Sequence, residues 1–406
     1  MFYTLLLTQA ALISLLAVSA RISPKNPRAF FAPVSWFILF YLLTFLIPQL
    51  YMPGLGYPLI WTDRNVLFGD IEKILLTQKI LCLFLMSFCI GYFLAFPKSA
   101  KIKPLMPINR SERTAGLLFY MAGAIATIGI ILYLTNPNNP RSDIVSGRAG
   151  QILYALSFFM TLGFLIVCAF SIHLKRYLWV VVAAVVFAIL LFPLGGRGRV
   201  LWPFVSLFAW AAAMGVVKLH LVRMTLVALV LAVILQGMDP LLLYMQEKRT
   251  QEAAVEEFVA SLEVDQFFFG RTFDAFHNLA IVVNKDEVAH SWRYFFSGSQ
   301  AAFMWNYFPD VARGGVGFPA TLPGGLWLSA GYAGIAFGSF FYGLLFGLIA
   351  RLYRNQVKKE IDLIVLLMFM PVVANVGTSW LDSYLKMFSL LFPGLLLIYK
   401  SRVSLR

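Results

Sequence analysis

Residues 178–194 read LWVVVAAVVFAILLFPL and contain no charged side chain. A helix needs about 20 mostly apolar residues to cross a bilayer core of about 30 Å, and this stretch with its flanks reaches that length. Lys175 and Arg176 precede it, and the turn GGRGR at 195–199 follows it. The pattern is typical of a membrane-spanning helix, and it recurs along the chain.

The composition of the whole chain agrees with this local pattern. Of the 406 residues, 60% are hydrophobic and only 13% are charged, against roughly 45–50% and about 25% in soluble domains. So apolar a chain cannot cover a surface that faces water. Composition therefore excludes a soluble enzyme, a nucleic-acid-binding module and a disordered protein, and it predicts an all-α polytopic membrane protein.

Eleven apolar segments are long enough to be spans. We expect the first to be retained rather than cleaved as a signal peptide, because its positive charges follow it. The last contains Lys386 and Pro393 and is also compatible with a re-entrant segment. The organisation is thus eight spans in residues 1–243, one long outer loop at 244–322, and three spans with the C-terminus in residues 323–406. The predicted spans are 2–20, 31–50, 74–96, 114–134, 152–172, 178–194, 200–217, 224–243, 323–350, 361–379 and 384–400.

Lys and Arg residues alternate between the loops and so predict the orientation. One set of loops carries 19 positive charges against three acidic residues (Glu112, Glu360 and Asp362), a net charge of +16, and the rest of the chain has −2. The positive-inside rule places the first set in the cytoplasm, with the N-terminus outside and the C-terminus inside. The formal charge of +14 is then a topology signal that faces anionic membrane lipid, and it does not indicate nucleic acid as a partner.

Metal and cofactor sites are not predicted. The cysteines Cys82, Cys89 and Cys168 all fall within spans, so no disulfide framework is implied. Cys82 and Cys89 are seven residues apart on one helical face, a spacing that favours packing over metal binding. The cytoplasmic loops are short and basic and have no phosphate-cradling Gly-Lys-Ser/Thr motif or paired metal ligands.

The long outer loop carries the first candidate site. We predict a helix from Gln246 to Glu263 and a second helix from Arg271 onward. On the second helix, Arg271, Asp274 and His277 or Asn278 recur at three- and four-residue spacing and share one face. Together they could bind an anion and remove a proton, while Arg271 and Asp274 could also form only a local salt bridge. The opposite stripe of this helix consists of Phe273, Phe276 and Ala280.

Arginines on the predicted outer side form the second candidate site. Arg197 and Arg199 alternate with glycines between two spans, where backbone N–H groups and guanidinium forks can approach phosphate oxygens. The alternative is a tight turn whose arginines snorkel to lipid head groups. Arg141 in the loop at 136–151 is a weaker candidate of the same kind. Arg293 is a further candidate for binding pyrophosphate. It stands in a stretch whose aromatic residues suit the membrane interface and could also stack on sugars.

A glycine series follows the long loop. Its spacing of four residues is the small-xxx-small pattern of close helix packing. We interpret the series as structural. It consists of Gly331, Gly334, Gly338, Gly343 and Gly347.

Four stretches, in this order, resemble the oligosaccharide repeat-unit polymerases, the Wzy-type O-antigen polymerases of bacterial surface polysaccharide synthesis. The number of spans and the single large outer loop fit that family along most of the chain, and the motif-like match covers roughly its second half. One position departs from the family: many relatives have an acidic residue where this chain has Gly325, so no acid/base role can be drawn from that position. The four stretches are LGGRGR at 194–199, GRTFDAFHNL at 270–279, YFFSGSQAAFMWNYFPDVARGGVG at 294–317 and FPATLPGGLWLSAGYAGIAFG at 318–338.

The resemblance implies a GT-C-like glycosyltransferase at the outer face of the bacterial inner membrane. Such an enzyme transfers a growing glycan from undecaprenyl pyrophosphate to a new lipid-linked repeat unit and needs no cofactor. Arg197, Arg199 and Arg271 would bind the pyrophosphate, and His277 or Asp274 would serve as the general base. A Wzz-type co-polymerase that regulates chain length is a partner that the resemblance leaves open. Two other functions also stay open, an O-antigen ligase and a flippase for lipid-linked oligosaccharides.

Overall fold

The part of the chain that the computed structural model describes is nearly all helical. Within this part no β-strand forms, and one isolated bridge joins Met106 to Lys359. The described residues are 1–20, 22, 27–51, 71–96, 105–134, 148–191, 197–217, 250–261, 272–284, 290–291, 321–355 and 357–374.

The helices are apolar around most of their circumference, as expected of segments that face either lipid or other helices. A π-helical turn at Leu42–Leu46 joins α3 to α4. Proline residues lie inside α9 (Pro203) and α13 (Pro371). In chain order the helices are α1 (Phe2–Ser19), α2 (Pro27–Phe30), α3 (Pro33–Tyr41), α4 (Ile47–Tyr51), α5 (Ile71–Ala95), α6 (Arg110–Leu134), α7 (Arg148–His173), α8 (Tyr177–Leu191), α9 (Arg197–Ala213), α10 (Gln251–Ser261), α11 (Thr272–Val283), α12 (Leu322–Asn355) and α13 (Glu360–Ala374).

Five helical stretches in the described part are long and apolar enough to cross a membrane, judged by length and composition. Each of them falls on a predicted span, and together they indicate a membrane protein. The five stretches are Phe2–Ser19, Pro33–Leu50, Ile74–Ala95, Arg110–Leu132 and Leu322–Arg354.

The other predicted spans are covered in part. Helices α7, α8, α9 and α13 lie at the predicted spans 152–172, 178–194, 200–217 and 361–379. The predicted spans 224–243 and 384–400 lie outside the described residues. The total of eleven spans, the long outer loop and the three-part division of the chain at residues 243 and 322 therefore stay predictions.

The chain divides into two compact units. The first unit contains α1 to α5, α11 and α12. The second unit contains α6 to α10, and α13 as far as Pro371.

The first unit is built on the packing of α5 against α12. A Cβ added at Gly91 would lie 2.8 Å from the Leu344 backbone nitrogen, and one added at Gly343 would lie 2.8 Å from the Phe88 carbonyl carbon. Glycine at these positions therefore lets the two backbones meet. Gly343 meets Phe88, and Gly347 meets Tyr92 and Ala95. The contacts therefore advance in the same direction along both helices, so α5 and α12 run parallel, as the charge bias predicts for the third and ninth spans.

A cluster of buried amides joins α1, α4 and α5 in the same unit. Gln9, Gln49 and Gln78 have no exposed surface. The amides of Gln9 and Gln49 exchange two hydrogen bonds of 3.1 Å, and the Gln78 amide donates to Gln49 Oε1 at 3.0 Å. The Tyr41 hydroxyl donates to Gln9 Oε1 at 2.9 Å. Interhelical bonds between uncharged polar groups are a common means of helix association in membranes.

The second unit joins three helix ends through acidic residues. Asn109 and Glu112 form a reciprocal cap at the start of α6, with bonds of 2.7 Å and 3.1 Å. Lys359 Nζ lies 3.3 Å from Glu112 Oε1, and His173 Nε2 lies 2.7 Å from Glu360 Oε2. The segments before α6, after α7 and before α13 are all predicted to lie on the cytoplasmic side, and these contacts bring them to one end of the unit.

Candidate functional site at a helix break

Helix α12 is broken near its start. Ala330 (φ −157°, ψ 28°) and Gly331 (φ 57°, ψ −135°) have non-helical backbone angles, which separate a short part, 322–329, from a long part, 332–355. A positive φ is costly for a residue with a Cβ and readily adopted by glycine. The span predicted at 323–350 as one helix is therefore two helical parts, and Gly331 occupies the junction.

The short part of α12 folds back against the long part. A Cβ at Gly334 would meet the Leu326 carbonyl oxygen, and a Cβ at Gly338 would meet the Leu326 side chain. In a straight helix these glycines would lie about 12 Å and 18 Å along the axis from Leu326. The structural role predicted for the glycines is confirmed, but two of them pack parts of one helix together rather than two spans.

His290 and Ser291 lie on the broken end of the short part. At a helix end, the last carbonyl groups lose their intrahelical partners. The Ser291 N–H donates to the Leu328 carbonyl oxygen at 3.0 Å and so satisfies one of them. An added Cβ at Gly331 would lie 3.3 Å from His290 Nε2, so the imidazole borders the junction itself.

Three rings surround this junction. The centroids of His290 and Trp327 are 5.7 Å apart with an interplanar angle of 88°, and those of Trp327 and Tyr332 are 5.0 Å apart at 85°. Edge-to-face contacts of this kind stabilise aromatic clusters. His290 is exposed, and Tyr332 is 53% exposed. We call these three rings, with Ser291 and Gly331, the break site.

Helix α11 packs against the short part of α12. A Cβ at Gly324 would lie 3.7 Å from both Leu279 Cδ1 and Val282 Cγ1. Thr321 Oγ1 accepts a 3.1 Å hydrogen bond from the Gly324 N–H and caps the short part. Just after the C-terminal end of α11, Asn284 Nδ2 donates to Thr77 Oγ1 of α5 at 3.3 Å. The helix that was predicted from residue 271 onward is therefore anchored inside the first unit.

The predicted faces of α11 are only partly reproduced. Phe276 and Ala280 of the predicted apolar stripe are buried, as expected. Asn278 was assigned to the polar face, yet it is only 2% exposed. Asp274 and His277 lie within the helix, but their side chains are outside the described residues. A buried helix explains this difference, because neighbours surround it on more than one side.

Two of the five predicted arginines lie on a described helix, and the other three lie outside the described residues. The backbones of Arg197 and Arg199 form the first turn of α9, and their side chains are outside the described residues. Arg141, Arg271 and Arg293 lie entirely outside the described residues. Arg271 directly precedes the start of α11 in the sequence.

His290 is the residue that the sequence analysis did not identify. It stands between stretches that were recognised, and no helical spacing links it to another polar residue. The chain has only four histidines, so the rarity of this residue type was the available signal. Its position beside Gly331 depends on the fold, because the two residues are 41 positions apart in the sequence.

Two other features do not add a site for chemistry. Among the described residues, no group of three or more His, Cys, Asp or Glu side chains could hold a metal ion. An apolar groove of about 490 Å³ lies between α1 and α5, and its lining suits lipid acyl chains. It is lined by Leu12, Leu15, Met86, Cys89, Ile90, Phe93 and Leu94.

Comparison with known proteins covered family models, curated proteins and solved structures. The chain matches no family model, no curated protein and no solved structure.

Proposed function

We propose that the chain is a membrane glycosyltransferase that polymerises undecaprenyl-pyrophosphate-linked oligosaccharide repeat units at the outer face of the bacterial inner membrane. The anomeric carbon of the growing glycan is joined to a hydroxyl of a new lipid-linked unit, and undecaprenyl pyrophosphate leaves. Because the donor already carries its leaving group, the reaction needs positive charge for the pyrophosphate and a base for the hydroxyl.

The position of the helix break carries this proposal. Residues 332–355 extend about 36 Å at 1.5 Å per residue, which is enough to cross a bilayer core of about 30 Å. The break thus stands at one end of a complete span, and the charge bias predicts that this end is the outer one. Lipid-linked sugars present their pyrophosphate and sugar rings at the membrane surface, beside such an end.

The first turn of α9 supports a role for Arg197 and Arg199 in binding pyrophosphate. Cations at a helix N-terminus oppose the helix dipole, at a cost of about 0.3–1 kcal/mol each. A bound phosphate would offset this cost, because it attracts both the guanidinium groups and the free N–H groups of the first turn. Arg271 is proposed as a third ligand, and Arg141 and Arg293 are weaker candidates.

Helix α11 supports the assignment of the base. It carries Asp274 and His277, and it packs against the short part of α12 that leads into the break. A base must be held in place to be effective, and a buried helix holds its residues more firmly than a solvated loop does. We retain both residues as candidates for accepting the proton of the attacking hydroxyl.

An interrupted helix is also a feature of transporters, so a flippase for lipid-linked oligosaccharides is the second candidate. Transporters, however, place such interruptions near the bilayer midplane, where the substrate crosses. The break in α12 leaves a full span on one side of it, which favours a site at the membrane surface. The polymerase is therefore the better explanation of this geometry.

The direct test is a reconstitution. Purified protein would be incubated with undecaprenyl-pyrophosphate-linked repeat units, and the products would be separated by size. We expect products of two or more units, together with released undecaprenyl pyrophosphate. Translocation of the units across vesicles without formation of any glycosidic bond would reject the proposal in favour of the flippase.

Substitution of the arginines tests the site. Arg197→Ala, Arg199→Ala and Arg271→Ala should each lower the polymerisation rate by about 10²- to 10³-fold, as loss of a group that stabilises transition-state charge does. Arg176→Ala is the matched control, because Arg176 is an exposed arginine beside α7 that is predicted to lie on the opposite side of the membrane. Wild-type rates in all three variants would contradict the assignment.

Deletion in the source organism separates the polymerase from an O-antigen ligase, which uses the same kind of donor. A polymerase deletion should leave lipid A core capped with a single repeat unit. A ligase deletion should leave the core with no unit at all, and this result would favour the ligase.

A further inference from the structure

The break site has a composition unlike that of the arginine-rich segments. Its rings are one imidazole, one indole and one phenol, and none of its five residues carries a formal charge when His290 is neutral. A site of this kind is poorly suited to a pyrophosphate, which needs several cations or N–H donors. It is better suited to a neutral ligand with both an apolar face and hydroxyl groups.

We propose that the break site is a saccharide subsite, in which Trp327 and Tyr332 pack against the apolar face of a sugar ring and His290 hydrogen-bonds a sugar hydroxyl. Given the proposed function, on which the identity of the sugar rests, this sugar belongs to the acceptor repeat unit. The subsite would bind and position the acceptor, while the base and the pyrophosphate ligands are supplied by other residues.

The exposure of the three rings supports binding of an external ligand. Tyr332 is 53% exposed, Trp327 is partly exposed and His290 is exposed. Neither ring nitrogen of His290 has a hydrogen-bond partner within the described part of the chain. A neutral imidazole without a partner offers one hydrogen-bond donor and one acceptor, and a sugar hydroxyl can bond to either.

The backbone of the break keeps the rings in place. Trp327 precedes the non-helical pair Ala330 and Gly331 and Tyr332 follows it, so the change in chain direction brings two ring positions together. The bond from Ser291 N–H to the Leu328 carbonyl holds His290 beside them. Three rings that are separate in the sequence are thus held together before any ligand arrives, which lowers the entropy cost of binding.

Anchoring at the membrane interface is the competing explanation, because Trp and Tyr residues collect there. The two explanations differ in the effect of single substitutions. An anchor acts through partition into the head-group layer, so replacing one ring changes no kinetic constant for a particular substrate. A saccharide subsite affects the acceptor alone.

The test uses an acceptor that cannot act as a donor. The repeat-unit oligosaccharide would be attached to a simple octyl group in place of undecaprenyl pyrophosphate, and the full-length protein would extend it from the natural lipid-linked donor. Initial rates at varied concentrations of the octyl glycoside yield the acceptor KM, and rates at varied donor concentrations yield the donor KM.

Three variants are compared with one control. His290→Gln, Trp327→Leu and Tyr332→Leu should each raise the acceptor KM by about three- to tenfold, the loss expected for one neutral hydrogen bond or one aromatic contact. The donor KM should stay within twofold of the wild-type value. Phe337→Leu is the control, since Phe337 lies on the same helix and is 65% exposed, and its acceptor KM should not change.

A binding measurement separates this proposal from the proposed function. The octyl glycoside should quench part of the tryptophan fluorescence of the wild-type protein, and that part should be lost in Trp327→Phe. If the wild-type protein forms no glycosidic bond, the proposed polymerase is rejected, while quenching that depends on Trp327 still supports the subsite. Tyr332 is exposed, so Tyr332→Leu should leave folding intact. If the protein polymerises repeat units but the acceptor KM of Tyr332→Leu is unchanged, the subsite is rejected and the polymerase stands.

Discussion

The two units of the chain bury different kinds of polar group. Among the described residues, the buried polar side chains of the first unit are all uncharged, with Gln9, Gln49 and Gln78 at its centre. The second unit contains both of the carboxylates that are buried in the described part, Glu112 and Glu360, which are 6% and 1% exposed. One interior depends on hydrogen bonds between amides, and the other on carboxylates that are paired with a lysine or a histidine and that lie at helix caps.

The difference follows from the surroundings of each cluster. A charge in the hydrocarbon region is expensive, whereas an amide needs only a hydrogen-bond partner. Glu112 and Glu360 stand at the first turns of α6 and α13, where the helix dipole favours a negative charge. Each carboxylate also has a partner nearby, Lys359 for Glu112 and His173 for Glu360. The second unit can therefore bury carboxylates at helix ends, and the first unit joins its helices with neutral groups.

The three cysteines allow the opening of each unit to be measured separately. Cys82 and Cys89 are buried in the first unit and Cys168 in the second. A variant with Cys82→Ala and Cys89→Ala reports only on Cys168, and a variant with Cys168→Ala reports only on the other two. The rate of modification by a maleimide in detergent then measures how often each unit opens.

The largest expected effect is that of His173→Leu in the second unit. This change leaves the Glu360 carboxylate buried without its 2.7 Å partner. Breaking a buried pair costs about 3–5 kcal/mol, and we expect about 3 kcal/mol because the His173 side chain is 33% exposed. Modification of Cys168 should become about 100-fold faster, with no comparable change at Cys82 and Cys89.

The double variant His173→Leu/Glu360→Leu sharpens this prediction. Removing the carboxylate as well removes the buried charge, so modification of Cys168 should return most of the way to the rate in the parent. If the double variant opened as fast as His173→Leu alone, the unpaired carboxylate would not be the cause.

Gln49→Leu should have the next largest effect, in the first unit. It removes the shared partner of Gln9 and Gln78 and three hydrogen bonds among the three amides. Bonds of this kind in membranes contribute about 0.6 kcal/mol each, so we expect about 2 kcal/mol. Modification of Cys82 and Cys89 should become roughly 30-fold faster, and that of Cys168 should not change.

The neighbouring residue provides the control for Gln49. Leu50 is 55% exposed, and Leu50→Ala should leave all three cysteines at their original rates. Equal acceleration of Cys168 and of the first-unit cysteines by Gln49→Leu would show that the two units open as one and are not stabilised separately.

Lys359→Met should have the smallest effect. Lys359 Nζ is 3.3 Å from Glu112 Oε1, but its side chain is 29% exposed and Glu112 keeps its bond to the Asn109 N–H. A partly exposed pair contributes less than about 1 kcal/mol. Modification of Cys168 should accelerate less than fivefold, 1 M NaCl should have a similar effect on the wild type, and the exposed Lys358→Met should have none. A large effect of Lys359→Met at high salt would contradict this account.

The positions of the helices were predictable because one local property, the length of an uninterrupted apolar segment, decides them. An apolar run of about 20 residues forms a helix in a membrane, since all backbone groups must then be paired within the segment. The helix predicted from residue 271 was found at Thr272–Val283 for a related reason, its periodic apolar stripe, which includes the buried Phe276.

The candidate site was less predictable. The sequence drew attention to segment 318–338, which contains the break at Gly331, but through a family resemblance and a glycine spacing rather than through His290. A break at Gly331 leaves no mark in hydropathy, because the residues on both sides are as apolar as those of a continuous span. The sequence also did not predict that Asn278 is buried. The residues that cover this face of α11 come from other parts of the chain, and the local pattern does not show them.

By itself, the sequence determined that this is a helical membrane protein and, to within a few residues, where most of its described helices lie. It also predicts which loops share a side of the membrane. These are local properties, set by chain length, side-chain polarity and the count of basic residues. Only the tertiary structure decided that α12 folds back at Gly331, that α11 is enclosed by other helices, and that His290 meets Trp327 and Tyr332. Such contacts depend on backbones that approach closely at glycines and on polar groups that find partners far along the chain, and no local pattern records which partners those are.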